Sequence, residues 1–208
     1  LNKPVIIVGN GGHAAVITEI LIEQNRSILG FTAPEKQKNE FGLIYLGTDE
    51  NIESYDPKEI EIVNCVGSIN IPEKRRDIFH CYKSKGYSFV TVKHPSAIIS
   101  SSVELGEGVH VMAGAIIQTG SIVNENTILN TAVSIDHHCH IAEHCHLAPR
   151  VTLSGNVRVG KVSHIGVGST VIQNIQIGSY VMIGAGSLII RNVRDCHRAY
   201  GVPAKEVK

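Results

Sequence analysis

From Ile99, stepping six residues at a time, every position through Ile189 is Leu, Ile or Val: Ile99, Leu105, Val111, Ile117, Val123, Leu129, Ile135 and onward, sixteen in all without an insertion. Four residues after each stands a small or apolar side chain, from Val103 and Val109 to Val181 and Ser187. A period of six fits neither a 3.6-residue helix nor a simply alternating strand. Its physical solution is a short strand and a turn, repeated three times to close a triangular coil of 18 residues. The aliphatic side chains then stack inward on their copies one coil above, giving a parallel β-helix. Five such coils, at about 4.8 Å each, make a prism roughly 24 Å tall. Burying each aliphatic contributes roughly 1.5 to 3 kcal/mol, so the column alone can hold the element together. A Gly- and Val-rich sandwich is the competing reading, and sixteen positions in one register argue against it.

Composition narrows the functional classes. Across 208 residues, 19 basic side chains balance 19 acidic ones, which removes the electrostatic case for a dedicated nucleic-acid binder. No apolar run approaches the roughly 18 residues of a spanning helix, so no membrane role is expected. Five cysteines, Cys65, Cys81, Cys139, Cys145 and Cys196, are odd in number and thinly spread. That usage points to a reducing cytoplasm rather than a disulfide-stapled secreted domain. The chain opens at Leu1 with no visible signal peptide.

Residues 1–93 read as a separate small α/β domain, and residues 94–208 as the β-helix with a short tail. Pro4–Val8 is a buried strand, followed by Gly9-Asn10-Gly11-Gly12-His13-Ala14 and a helical pattern with Val16, Ile17, Ile20 and Leu21 on one face. A strand, a glycine turn and a helix N-terminus make an anion- or nucleotide-binding corner. A second strand, Ile28–Thr32, ends in Phe31-Thr32 rather than the acid a dinucleotide site uses for ribose, so NAD is disfavoured. A strand over Glu61–Val66, Gly67-Ser68, a helix over Pro72–Lys85 and a strand over Ser88–Val92 complete an open parallel, Rossmann-like sheet. His94-Pro95 marks the hinge.

Five histidines crowd into ten residues: His137, His138, His140, His144 and His146, interleaved with Cys139 and Cys145. A zinc site and general-base chemistry both use such side chains. The register places both cysteines inward as core fillers. His110, His140, His144 and His164 are expected on exposed surface, whereas His137, near a corner, and His146 are the functional candidates.

At these residues the chain resembles the bacterial nucleotide-sugar acetyltransferases of the PglD, NeuD and GDP-perosamine N-acetyltransferase group. The likeness is carried by Gly9–Ala14, His94-Pro95-Ser96-Ala97, Leu129-Asn130-Thr131, Asp136-His137-His138-Cys139, the hexad array and Gly201-Val202-Pro203-Ala204-Lys205. It implies a left-handed β-helix, against the usual right-handed crossover. It also implies acetyl-CoA as donor, a nucleotide-sugar acceptor, no metal, a homotrimer, and active sites in the clefts between neighbouring β-helices. Position by position, His137 corresponds to the base, Asp136 to the acid before it, and Asn130 to an active-site asparagine. His146 corresponds to a histidine near the thioester, Gly155 and Ala185 to backbone partners of the pantetheine arm, and Lys205 to the cofactor side. Gly11, Gly12, His13, Phe31, Thr32, Gly67 and Ser68 match the surface for the nucleotide end. One departure stands at the base itself: the residue after it is usually Asp or Glu in the family, and here it is His138.

An amine attacking a thioester needs a base and a stabilised oxyanion but no metal. Five basic residues in the last twenty, Arg191, Arg194, Arg198, Lys205 and Lys208, against two acidic ones suit the phosphates of CoA. The expected reaction is N-acetylation of the 4-amino group of a nucleotide-linked 4-amino-4,6-dideoxy sugar in glycan biosynthesis. O-acetylation of sialic acid or a related nonulosonate is the near alternative. A zinc enzyme of the γ-carbonic anhydrase type, sharing the β-helix, would use His110 and His146 two coils apart, but its third ligand position is Val151. A non-catalytic trimeric scaffold is the remaining class.

Overall fold

The computed structural model describes residues 3–207, so Lys208 lies outside the described residues. The chain forms two compact units. One runs to Gly67 and resumes over Lys74–Val92; the other combines Ser68–Glu73 with the residues from Lys93 onward.

In the first unit, strands β1 (Val5–Val8), β2 (Ile28–Thr32) and β3 (Glu61–Asn64) pair in the order 2-1-3, all parallel. Helix α1 (Gly12–Glu23) follows β1 and helix α2 (Glu73–Ser84) follows β3. Ile6, Val8, Ile52, Ile62, Phe79, Tyr82, Tyr87 and Phe89 form one buried cluster. Two sequence expectations need correction. The buried face of α1 is Ala14, Ile17, Thr18, Ile20 and Leu21, and Val16 is 41% exposed. Positions 14, 17, 18 and 21 follow the i, i+3, i+4, i+7 spacing, and Val16 sits off that stripe. The strand expected over Ser88–Val92 shortens to an edge in which Ile62 N–H donates to Ser88 O and Val90 N–H donates to Ile62 O, each at 2.9 Å.

The second unit is the parallel β-helix, and its two-residue strands recur every six residues. Face one carries His110–Val111, Ile128–Leu129, His146–Leu147, His164–Ile165 and Met182–Ile183. Face two runs from Ile98–Ile99 through Ser134–Ile135 to Leu188–Ile189, six strands deep. Face three runs from Glu104–Leu105 through His140–Ile141 to Gln176–Ile177, five strands deep. Each strand pairs in parallel with its copy 18 residues away, as in Ile128↔His146 and Leu129↔Leu147. The hexad aliphatics from Val111 to Ile189 fill one core, joined by Cys139 and Cys145 as the register required. Arg198–Gly201 adds a further strand beside Met182–Ile183, and Ala204–Val207 folds back on it antiparallel.

Corners between faces bend through a left-handed residue. Glycine takes that place at Gly108, Gly114, Gly120, Gly168 and Gly186, but Asn126, His138, His144, Asn156 and even Val162 adopt it too, with φ between 54° and 59°. For a residue with a Cβ this costs roughly 1 to 2 kcal/mol. Ladder bonds between corners offset it, such as His138 N–H to Thr119 O at 3.0 Å and Asn156 N–H to His137 O at 2.9 Å.

The surface expectation fails for His110, His144 and His164, which are buried, and His140 is half-buried. The six-residue register states which side chains leave the coil, not what covers them outside. His164 is covered in part by His146, whose ring stands edge-on to it at 4.8 Å. His144 Nδ1 lies 3.0 Å from Asn126 Nδ2 within a corner ladder.

Candidate active site

The corner joining faces two and three presents Asp136, His137 and His138, all exposed. The two imidazoles meet through their Nδ1 atoms at 3.0 Å, with the rings nearly perpendicular at 77°. Asp136 does not take the place of an acid against the imidazole. Its carboxylate accepts the backbone N–H of His137 at 2.8 Å. Gly155 lies one coil above, and a Cβ there would stand 2.5 Å from both Nε2 and Cε1 of His137. The sequence-matched Gly155 thus touches the His137 imidazole, and its missing side chain leaves the ring room.

A second cluster forms on face one. Thr131 N–H donates to Asn130 Oδ1 at 2.8 Å, which turns the Asn130 amide nitrogen toward His146 Nε2 at 3.2 Å. An amide N–H can only donate, so Nε2 accepts and the His146 proton sits on Nδ1. That proton points at Ser68 Oγ, 2.9 Å away. Ser68, matched by resemblance to the nucleotide surface, belongs by packing to the β-helix unit and pairs with the histidine matched to the thioester.

His137 and His146 are not brought together within the chain. One coil runs from face one (128–129) through the corner at 131–132, face two (134–135), the corner at 137–138 and face three (140–141) back to face one (146–147). His137 therefore occupies the corner opposite the face that bears His146, across the filled core. Gly155 and Ala185 are separated likewise, since Ala185 sits at the corner between faces one and two. Lys205 is exposed on the terminal hairpin, paired with Tyr200. Arg194 of the basic tail is engaged by Glu206 at 3.0 Å. His110 and His146 both lie on face one, but Val151 at the third ligand position is buried in the core. No group of three or more His, Cys, Asp or Glu able to hold a metal forms among the described residues.

The first unit carries the glycine corner. Gly9 needs its lack of a side chain, with φ +103°, whereas Gly11 has φ −91° and neither Gly11 nor Gly12 has an atom within 4 Å of where a Cβ would stand. Helix α1 starts here with no side-chain cap and no acid in its first turn, so its leading N–H groups face an open space that suits an anion. Asn10 does not turn to that space: it donates to Gln37 Oε1 and Lys38 O, each at 3.2 Å, and accepts from Asn39 at 2.8 Å, pinning the loop after β2. Phe31 is wholly buried against Tyr45 and offers no side-chain surface.

Three features escaped the sequence. Asp49 accepts the Thr32 hydroxyl at 2.7 Å, bringing to the end of β2 the carboxylate that its own sequence lacks. Arg75, fully buried, donates to the carbonyls of Asn64 and Val66 at the end of β3. Burial first, and the Arg75 cation second, push His13 down to about 3, so it is neutral. On face three, a groove of about 1020 Å³ is lined by Arg158, Lys161 and Arg194 over a floor that includes Gly160 and Gly178. None of these has a local motif; each needs residues far apart in the chain.

Comparison with known proteins places this architecture. The PglD N-terminal domain model matches residues 4–80. A UDP-N-acetylbacillosamine N-acetyltransferase of Bacillus subtilis (strain 168) is 35% identical over 115 residues, which is 53% of this chain and 52% of that protein, so the match spans about half the relative's length. A crystal structure of a histidine-to-asparagine variant of perosamine N-acetyltransferase from Caulobacter crescentus, in complex with CoA and GDP-perosamine, superposes with a TM-score of 0.93 at 33% identity. It covers 99% of this chain and 97% of the other. The acetyltransferase domain of PglB from Neisseria gonorrhoeae FA1090, in complex with acetyl coenzyme A, gives 0.93 at 32% identity over the whole of both chains. The chain belongs to the family of PglD-like nucleotide-sugar acetyltransferases, an α/β unit followed by a hexapeptide-repeat β-helix.

Proposed function

We propose that the protein transfers an acetyl group from acetyl-CoA to the 4-amino group of a nucleotide-linked 4-amino-4,6-dideoxy sugar, with His137 as general base. The observation that carries this reading is full-length similarity to two acetyltransferase structures, combined with an imidazole free to meet an acceptor at an exposed corner. His137 takes the amine proton as nitrogen attacks the thioester carbonyl. A positioned histidine base supplies about 10² to 10⁴ in rate. The polyanionic donor suits the groove on face three, where Arg158 and Lys161 stand, and the phosphates of the acceptor suit the uncapped start of α1.

The opposed positions of His137 and His146, and of Gly155 and Ala185, favour a homotrimer in which one copy's corner works beside the neighbour's face one. The cytoplasm is the compartment that holds both co-substrates, and all five cysteines are free. The deciding experiment measures acetyl-CoA consumption with UDP-, GDP- and dTDP-linked 4-amino sugars and with free and CMP-linked sialic acids. Turnover of a nucleotide amino sugar, lost in His137→Ala, is the expected result; turnover of sialic acids alone would replace the reading with O-acetylation.

A further inference from the structure

The imidazole of the base needs a partner at Nδ1, and the structure offers a second imidazole rather than a carboxylate. Two Nδ1 atoms 3.0 Å apart bond only if one carries a proton and the other a lone pair, so two neutral rings must be opposite tautomers. Base chemistry at His137 Nε2 requires the lone pair there, hence the proton on its Nδ1. We propose that His138 is the positioning residue of the base: its Nδ1 accepts the Nδ1 proton of His137 and so fixes the reactive tautomer. This rests on the acetyl-transfer reading.

The surroundings hold His138 for that task. Its backbone is anchored to Thr119 O at 3.0 Å in the left-handed conformation, φ +58°. Its ring lies on Gly120, where a Cβ would come within 2.7 Å of Cδ2. Gly120 N–H is in turn held by Ser102 Oγ at 3.1 Å, which also meets Thr119 Oγ1 at 2.8 Å. The His137 ring lies against Gly155, whose missing side chain leaves the Nε2 edge room. Asp136 accepts the His137 backbone N–H at Oδ1 rather than either imidazole.

In the reaction, the amine nitrogen bonds to the thioester carbon and its proton passes to His137 Nε2. The resulting imidazolium donates its Nδ1–H to neutral His138. When the C–S bond breaks, sulfur leaves with the electron pair and takes the proton back from Nε2 as the thiol. The pair ends as it began, with no net proton gained.

His138→Gly removes the ring at a position whose φ glycine adopts freely, so the fold is preserved and a coincident thermal melt verifies it. The kcat is expected to fall about 10- to 100-fold with both KM values within about twofold of the parent. His138→Glu, which restores an acceptor, is expected to recover most of kcat. Long-range ¹H–¹⁵N correlation spectra should show His137 protonated at Nδ1 in the parent and in His138→Glu, and shifted toward the Nε2–H tautomer in His138→Gly. An unchanged kcat or an unchanged tautomer in His138→Gly overturns the proposal. If the parent acetylates no nucleotide amino sugar, the acetyl-transfer reading falls separately, and the tautomer spectra still decide whether His138 orients His137.

Discussion

Gly11 and Gly12 are glycines where the backbone does not demand them, since no neighbour lies within 4 Å of either missing Cβ and Gly11 has an ordinary φ. Space kept empty by the protein is space for a ligand. Gly12→Ala should leave the melting temperature unchanged or raise it, because alanine in a helix is favoured by about 0.4 to 1 kcal/mol. The KM for the nucleotide sugar should rise several-fold; steady-state kinetics beside a thermal melt measure both, and an unchanged KM refutes the anion site. At the second cluster, Asn130→Asp replaces a donor facing His146 Nε2 with an acceptor, which pulls the His146 proton to Nε2 and leaves Ser68 without its donor. A kcat/KM about tenfold or more below the parent is expected at unchanged stability. These residues differ in how legible they were. His137 and Asn130 announced themselves through a local motif, and Gly11 and Gly12 through strand-turn-helix context. Asp49 beside Thr32, Arg75 at the end of β3 and Ser68 on His146 did not, because each contact joins segments that only the fold brings together.

At the scale of elements, the hexad column determined the three faces, and its inward side chains are the core. The exterior was less readable, as face one shows. His164 is buried there, with Nδ1 lacking a hydrogen-bond partner among the described residues. Burial pushes it from 6.5 down to about 4. A lowered folded value means the unfolded chain binds the proton first. Stability from this group is therefore complete above about pH 6.5, is lost as pH falls toward 4, and changes no further below. The loss approaches about 1.4 kcal/mol per pH unit. Urea midpoints between pH 7 and 4 should show it, and His164→Met, which matches Met182 next in the ladder, should flatten the slope. Part of the residual acid sensitivity then belongs to His13, which is displaced in the same direction. The rung spacing has its own test. A Cβ at Gly160 would stand 2.5 Å from the backbone of Gly178 and Ser179, so Gly160→Ala must pry two coils apart. It is expected to cost more than Val159→Ala in the neighbouring core position, which loses two buried methyl groups at roughly 0.8 kcal/mol each plus a small cavity term. A chemical-denaturation comparison that ranked them the other way would show that the coils yield.

For the molecule as a whole, the decisive fact is that the two chemical clusters sit on opposite sides of one coil. No rearrangement of side chains joins them, because the packed column of aliphatics from Val111 to Ile189 lies between. In the homotrimer proposed above, a working centre that uses both takes His137 from one copy and His146 from the next. Period and motif located each histidine in the sequence, but only the order of faces and corners shows that His137 and His146 lie apart within one chain. The arrangement makes a quantitative demand. His137→Ala and His146→Ala proteins are each expected to be nearly inactive, since every site of either ring lacks one imidazole. When the two are unfolded together in equal amounts and reassembled at random, a site is intact only if its His137 comes from a His146→Ala chain and its His146 from a His137→Ala chain. Each condition holds half the time, so about a quarter of the parental activity should return. Simple mixing without subunit exchange should return none. If each centre were built within one copy, co-assembly would restore nothing, and sedimentation analysis of the same samples would show whether the mixed rings had formed.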